Sequence, residues 1–267
     1  AWRSAGSIAA FRAKYPARPV ILALSGTDIY AFQYSHPDTT LESMRVADWL
    51  VCLHDRVAMD IPTEFGTKLT AIPQSAAPLS RPRKPSSRHF DVCVVGHLRA
   101  EKDSLRAAYA VRDLPLESRL RVIHLGKAHN DEWAAMARAE MARNPRYIWR
   151  GEVPGWRVRR EYTRTHAMVM SSVMEGGANV VSEAIVAGVP VLASDISGNI
   201  GMLGDDYPGY YKCEDTAALR ALLIRAETEP GFLEDLTRRC EALAPRYTPE
   251  IESAGWRDVI ARVTGSA

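Results

Sequence analysis

The sequence predicts an α/β fold: two Rossmann-like, doubly wound domains facing each other across a cleft. Three observations carry that expectation. Short apolar runs alternate with segments of helical spacing along most of the chain, the pattern of strand and crossover helix in a parallel sheet. Several of those runs end in small or glycine-containing loops, which puts flexible, hydrogen-bonding backbone at strand C-termini, where open α/β sheets bind ligands. A stretch rich in proline and arginine, Ala76 to His89, interrupts the pattern and reads as a linker, with its core at 78–89.

Before that linker, residues 7–14 have helical apolar spacing and run into Pro16. Pro19 to Leu24 is a short buried strand, and Ser25-Gly26-Thr27-Asp28 is its loop. By local pattern alone this loop is equally a plain turn capped by Thr27 or Asp28. Met44 to Val51 reads as a helix end and a strand, His54 to Ile61 as a helix, and Lys68 to Ile72 as a third strand. Three strands are few for a closed domain, so residues 1–77 read as part of a first Rossmann-like unit.

After the linker, residues 90–247 form the second unit. Phe90 to Val95 is its first strand, and the following loop, Gly96-His97-Leu98-Arg99-Ala100-Glu101-Lys102, joins cations to a helix start. That combination suits a diphosphate, although the same charges would serve as an ordinary solvated helix start. Leu120 to Gly126 is a strand, Asp131 to Arg143 an amphipathic helix, and Tyr147 to Trp149 a strand ending in Arg150-Gly151-Glu152-Val153. Trp156 to Thr165 is the next helix, and Gly209 to Cys213 a last strand. Asp215 to Ala226, Gly231 to Ala242 and Pro249 to Val263 are helical by spacing and caps.

The centre of the chain is Met168 to Gly201, which reads as strand, glycine turn, helix, strand and loop. Glu175 stands before Gly176-Gly177, and Glu183 lies inside the helix. Gly176-Gly177-Ala178 leaves the amides at the helix start without a side-chain cap, and bare amides at the positive end of a helix suit an oxygen-rich or anionic ligand. Spacing alone reads equally as two solvated carboxylates.

Composition sets the outer bounds. With 267 residues, 46% of them hydrophobic, the chain has room for one large or two medium domains. A formal net charge of +2 carries no nucleic-acid signature, so any anion site must be local. The four cysteines are scattered without metal-ligand spacing and read as reduced thiols, which points to the cytoplasm. No apolar run approaches the roughly 20 residues of a membrane span, so neither a nucleic acid nor a membrane is expected as a partner. The six tryptophans are not clustered and read as core or domain-contact residues. The absence of Gly-x-Gly-x-x-Gly after any strand argues against a nicotinamide enzyme.

Taken together, the Glu175–Glu183 element, the A-x-x-x-G-x-P-V-x-A-S-D run from Ala184 to Asp195 and the Gly198-Asn199 loop resemble the donor site of GT-B glycosyltransferases of family 4. Adding SGTDIY, VVGHLRAEKD and DYPGYYKCEDTAAL, the wording most resembles one branch, the selenosugar synthases of selenoneine biosynthesis, over nearly the whole chain.

The resemblance implies a UDP-sugar donor and, from the branch, selenophosphate as acceptor, with no cofactor and no metal. It assigns Lys102 and Arg99, with His97 nearby, to the diphosphate, helped by amides near Gly198 and Asn199. Glu175 and the Gly177, Ala178, Asn179 and Val180 segment would hold the donor sugar, with Glu175 stabilising the developing cation. Glu183 would grip the ribose, and backbone around Gly151 and Val153 the nucleobase. Ser25, Gly26 and Thr27 form the facing wall, with Ser25 where many relatives carry a histidine, and His97 where they carry an arginine. The family also implies further N-terminal strands beyond those in this sequence, and a C-terminal helix, 248–267, that crosses back to the first domain. A family 4 enzyme with an ordinary hydroxyl acceptor, a GT-B epimerase or hydrolase, and a non-enzymatic sugar-nucleotide-binding module are the competing readings.

Overall fold

A computed structural model describes residues 1–265, which form two parallel sheets. The first has three strands in the order β1 (Ile21–Ala23), β2 (Trp49–Cys52), β3 (Leu69–Ala71). Helix α1 (Ala5–Lys14) leads into it, while α2 (Gln33–Ser35), α3 (Pro37–Val46) and α4 (Val57–Asp60) make its crossovers. The second has six strands: β4 (Phe90–Val95), β5 (Leu120–Leu125), β6 (Tyr147–Trp149), β7 (Ala167–Met170), β8 (Val191–Ser194) and β9 (Tyr210–Tyr211). Its crossover helices are α5 (Arg106–Ala110), α6 (Asp131–Arg143), α7 (Gly155–Tyr162), α8 (Asn179–Val186) and α9 (Ser197–Leu203), and α10 (Thr216–Thr228) and α11 (Pro230–Leu243) follow its last strand.

The order of the second sheet, β6-β5-β4-β7-β8-β9, reverses direction between β4 and β7, which pair directly at Val92↔Ala167 and Cys93↔Met168. In an open parallel sheet such a reversal leaves a crevice outside the strand C-termini, because the two flanking loops lead to opposite faces. β7 and β8 are buried at every position, and β4 at all but Val95, as strands covered by helices on both faces must be.

Helix α12 (Pro249–Thr264) closes the molecule by packing on the first sheet. Its Val259 joins Val51 and Ile72 in a small core flanked by Trp49 and Trp256. The Glu252 carboxylate accepts from the Ser75 amide (2.8 Å) and hydroxyl (2.5 Å), and the Arg262 guanidinium lies 4.9 Å from the centre of the Trp49 ring. The linker is fastened too. Arg83 donates to the carbonyls of Thr165 (2.8 Å) and Gly188, and Arg159 to those of Ala77 (2.9 Å) and Pro78.

Several elements differ from expectation. His54 to Ile61 forms only the single turn α4, because His54 is buried against α9 and the chain leaves the helix at Ile61 in an extended conformation toward Pro62. The helix expected over Trp156 to Thr165 begins one residue earlier and ends at Tyr162, and the last strand shrinks to Tyr210–Tyr211. The Ser25 loop is not a plain turn, since it runs into a π-helical turn at Asp28–Phe32 and then α2 and α3. Asp215 caps α10 as its sequence position suggests, accepting from the Ala218 amide at 2.9 Å.

Candidate active site

Three loops at the C-terminal ends of neighbouring strands are bonded to one another. The Gly96 amide donates to the Leu125 carbonyl, the Leu98 amide to that of Lys127, and the Gly126 amide to that of Gly151, each at 2.9 Å. Ser104 organises the first loop, accepting from the Arg99 amide (3.1 Å) and donating to the His97 carbonyl (3.1 Å). Beneath it lies His124, fully buried, with Nε2 3.0 Å from the Gly96 carbonyl and Nδ1 3.0 Å from the Tyr147 hydroxyl. Burial pushes its pKa down to about 4, so the ring is neutral near pH 7. A neutral ring that donates from Nε2 to the carbonyl accepts at Nδ1 from Tyr147.

Across the switch point, the loop after β7 comes to meet the first. Lys102 is ion-paired with Glu175, and the Ser172 hydroxyl donates to the same carboxylate oxygen at 2.6 Å. Ser171 Oγ donates to the carbonyls of Lys102 and Asp103, both at 3.0 Å, and the Val173 amide to that of Glu101 at 3.0 Å. With side chains only 20% and 11% exposed, neither charge of the pair is freely solvated. Such a pair contributes little net stability, but losing one partner would strand the other.

The two halves enclose a cleft of about 450 Å³. His97, Arg99, Lys102 and Val153 line one side, and Glu175, Gly177, Ala178, Asn179 and Val180 the other. Helix α8 opens with no side-chain cap, leaving its first amides for a ligand. Arg99 is half turned away, with its Nε 3.2 Å from Glu101.

The remaining expected residues stand around this cleft rather than in its lining. Glu183 lies one turn into α8, where Tyr162 (3.3 Å) and Asn179 (3.2 Å) donate to its two oxygens. Burial raises its pKa, opposed by the Tyr162 hydroxyl and the charge of Arg159. The Gly151 carbonyl, expected to face a nucleobase, is already taken by the Gly126 amide, and this loop reaches the cleft lining through Glu152 and Val153. Gly198 packs on the Glu175 backbone and supports it from behind. The Asn199 amide is used within the α9 turn, and its buried side chain donates to Ser194, so neither reaches the cleft.

Gly26 meets Gly176 backbone to backbone. A Cβ on Gly26 would lie 2.5 Å from the Gly176 amide nitrogen, closer than real side chains approach, so the two lobes touch here only because both residues lack one. Ser25 Oγ donates to Asp28 at 2.7 Å and lies 3.0 Å from Thr27 Oγ1, so both hydroxyls are held within their own loop. Sequence reasoning missed Lys127, Glu152 and Val158, which also line the cleft. The signal was present for Lys127, which follows a strand and a glycine as the other loops do.

Residues 79–242, more than half of the chain, match the family model described as glycosyl transferases group 1, and the chain belongs to that family. No curated protein matches the sequence significantly. Among solved structures, Anabaena Alr3699/HepE in complex with UDP is similar, with TM-score 0.77 and 14% identity over 97% of this chain and 75% of that one. Sucrose-phosphate synthase of Thermosynechococcus elongatus gives TM-score 0.71, 16% identity and coverage of 90% and 65%. The pneumococcal O-GlcNAc transferase GtfA, in complex with UDP and GlcNAc, gives 0.69, 17%, 96% and 55%. The likenesses establish the GT-B fold.

Proposed function

We propose that this glycosyltransferase takes its sugar from a UDP-sugar, UDP-glucose or UDP-N-acetylglucosamine, and transfers it to selenophosphate. The observation that carries the donor assignment is the convergence of Lys102, Glu175 and the uncapped start of α8 on one cleft at the switch point. Breaking the anomeric C–O bond sends its electron pair to the diphosphate and leaves positive charge on the sugar. A cation at the phosphates, a carboxylate at the sugar and bare amides between them therefore match where charge develops. HepE solved with UDP-glucose, a protein of the same fold, is consistent with this donor.

The acceptor reading rests on the resemblance to the selenosugar synthases and on the fixed hydroxyl of Ser25, which Asp28 occupies and which is no base. Selenophosphate arrives as a soft anion and needs no deprotonation. Its selenium bonds to the anomeric carbon as UDP leaves, and water then cleaves the selenium–phosphorus bond, releasing phosphate and the selenosugar. One observation favours a hydroxyl acceptor instead: His97 lines the cleft and offers an imidazole as a base. Incubation with each UDP-sugar and selenophosphate, read by mass spectrometry, decides between them. A selenium-containing sugar together with UDP supports the proposal, whereas transfer only to sugar hydroxyls with selenophosphate unchanged overturns it.

A further inference from the structure

The outer side of α7 carries a group of arginines that the donor cleft does not use. Arg150, Arg157, Arg160 and Arg164 line a cavity of about 310 Å³ whose other walls are Leu125, Val153 and Glu161. Positions 157, 160 and 164 recur at helical spacing, so α7 and the turn after it aim three guanidiniums the same way, and Arg150 at the end of β6 faces them.

Elsewhere in this lobe arginines are spent on protein acceptors: Arg83 and Arg159 on linker and loop carbonyls, Arg121 on Asp91, Arg146 on three carbonyls. Among the described residues, Arg150, Arg160 and Arg164 have no hydrogen-bond or ion-pair acceptor for their guanidiniums, and Arg157 has only the ring of Trp156, 5.7 Å away. Four cations thus surround one cavity with a single carboxylate in its wall. That carboxylate, Glu161, is half-buried; burial and then nearby Asp91 raise its pKa against the pull of Arg164, Arg150 and Arg121, so one carboxylate answers only part of the charge around it.

Guanidiniums held together repel unless an anion joins them, and their planar forks match phosphoryl oxygens two at a time. A volume of this size sits at the small end of the ligand-pocket range, about 300 to 1,000 Å³. Arg160 and Arg164 also border an adjoining furrow with Arg81, so the positive charge continues toward the linker. Leu125 and Val153 are shared with the donor cleft, which makes the two cavities neighbours through one wall.

We propose that Arg150, Arg157, Arg160 and Arg164 form a second anion site, separate from the donor cleft, for a multiply charged phosphoryl group such as a diphosphate. The group belongs either to a soluble phosphate ester or to a lipid headgroup.

The test is calorimetry of the whole chain with inorganic pyrophosphate, on the natural protein, Arg160→Ala/Arg164→Ala and Lys102→Ala, with circular dichroism to establish that each is folded. Both arginines are exposed, so their removal leaves the core intact. Binding that weakens at least tenfold in the arginine variant and persists in Lys102→Ala is the expected result. Binding kept by the arginine variant overturns the site. A second arm, co-sedimentation with phosphatidylcholine vesicles with and without phosphatidate, separates the sources. Phosphatidate-dependent binding lost in the arginine variant, without affinity for free pyrophosphate, assigns the site to lipid headgroups. Binding to neither probe overturns it.

Discussion

Lys102 and Glu175, 73 positions apart in sequence, are joined as an ion pair where the loops after β4 and β7 meet. The pair holds a cation and a carboxylate at fixed places on either side of the switch point, and Ser172 pins the carboxylate from below. On the proposed donor reading, a diphosphate entering the cleft would compete with Glu175 for the ammonium, while sugar hydroxyls would compete with Lys102 for the carboxylate. Donor binding would then be an exchange of partners rather than the burial of new bare charges.

Lys102→Ala is expected to lower kcat about a hundredfold, with a smaller change in donor affinity, because charge on the diphosphate grows as the bond breaks. Steady-state kinetics with titration of UDP binding separates the two. Equal losses in both would reduce Lys102 to a uniform binding group.

Glu183→Gln is expected to weaken UDP binding by about 2 kcal/mol, near thirtyfold, through loss of a charged hydrogen-bond acceptor for the ribose. Tyr162 and Asn179 donate to different oxygens of Glu183, so the glutamine keeps the Asn179 bond at its oxygen and turns its NH2 to the Tyr162 hydroxyl, which can accept, and the melting temperature should hardly move. Since burial raises the Glu183 pKa, UDP affinity should also rise with pH through that raised value as the carboxylate ionises, and the glutamine variant should lose that rise. An unchanged UDP isotherm would remove Glu183 from the site.

Gly26→Ala should cut turnover by more than tenfold, because the new methyl group meets the backbone of Gly176, which cannot yield as a flexible side chain can. Gly66→Ala, where nothing lies within 4 Å, is the matched control and should be silent. Full activity in Gly26→Ala would mean that the lobes do not need this approach.

His124 makes stability depend on pH. Its pKa falls from 6.5 to about 4 on folding, so the unfolded chain binds the extra proton between those values. The contribution is complete above pH 6.5 and declines as pH falls toward 4, over an interval that corresponds to roughly 3 kcal/mol. His54 and His166, also lowered by burial, act in the same direction. Urea melts at about pH 7.5, 6 and 5, the first above this interval and the other two inside it, should show this decline, with a shallower slope in His124→Gln. A flat profile would contradict it.

If Lys102 and the first amides of α8 face the leaving group as proposed, turnover should persist in EDTA and gain nothing from magnesium. Loss on chelation with recovery on magnesium addition would replace Lys102 by a metal as the main electrophile.

Much of the second sheet was legible because its strands are short, largely buried apolar runs: Phe90–Val95 and Tyr147–Trp149 have the same limits in sequence and structure. The first sheet was harder to read. Its helix α3 begins at Pro37 with polar residues on most faces, and the π-helical turn at Asp28 has no periodic signature. In the site, loop positions were readable from glycine and charge at strand ends, and nine of the expected residues line the cleft. Side-chain direction was not. Asn199 and Gly198 belong to a conspicuous motif, yet one turns inward to Ser194 and the other braces Glu175, because α9 begins at Ser197 and spends the Asn199 amide on its own first turn.

The packing of α12 on β2 and β3 has a consequence for synthesis. Val51, Ile72 and Trp49 leave the ribosome before Trp256 and Val259 and stay uncovered until those follow, some 200 residues later by the spacing of those positions. Until α12 is made, the first sheet is therefore an unfinished surface, and its apolar side is exposed to chaperones or to neighbouring chains. Helix α12 seals it, so a nascent chain halted before Pro249 should remain open to protease between β1 and β3, and one that extends past Thr264 should not.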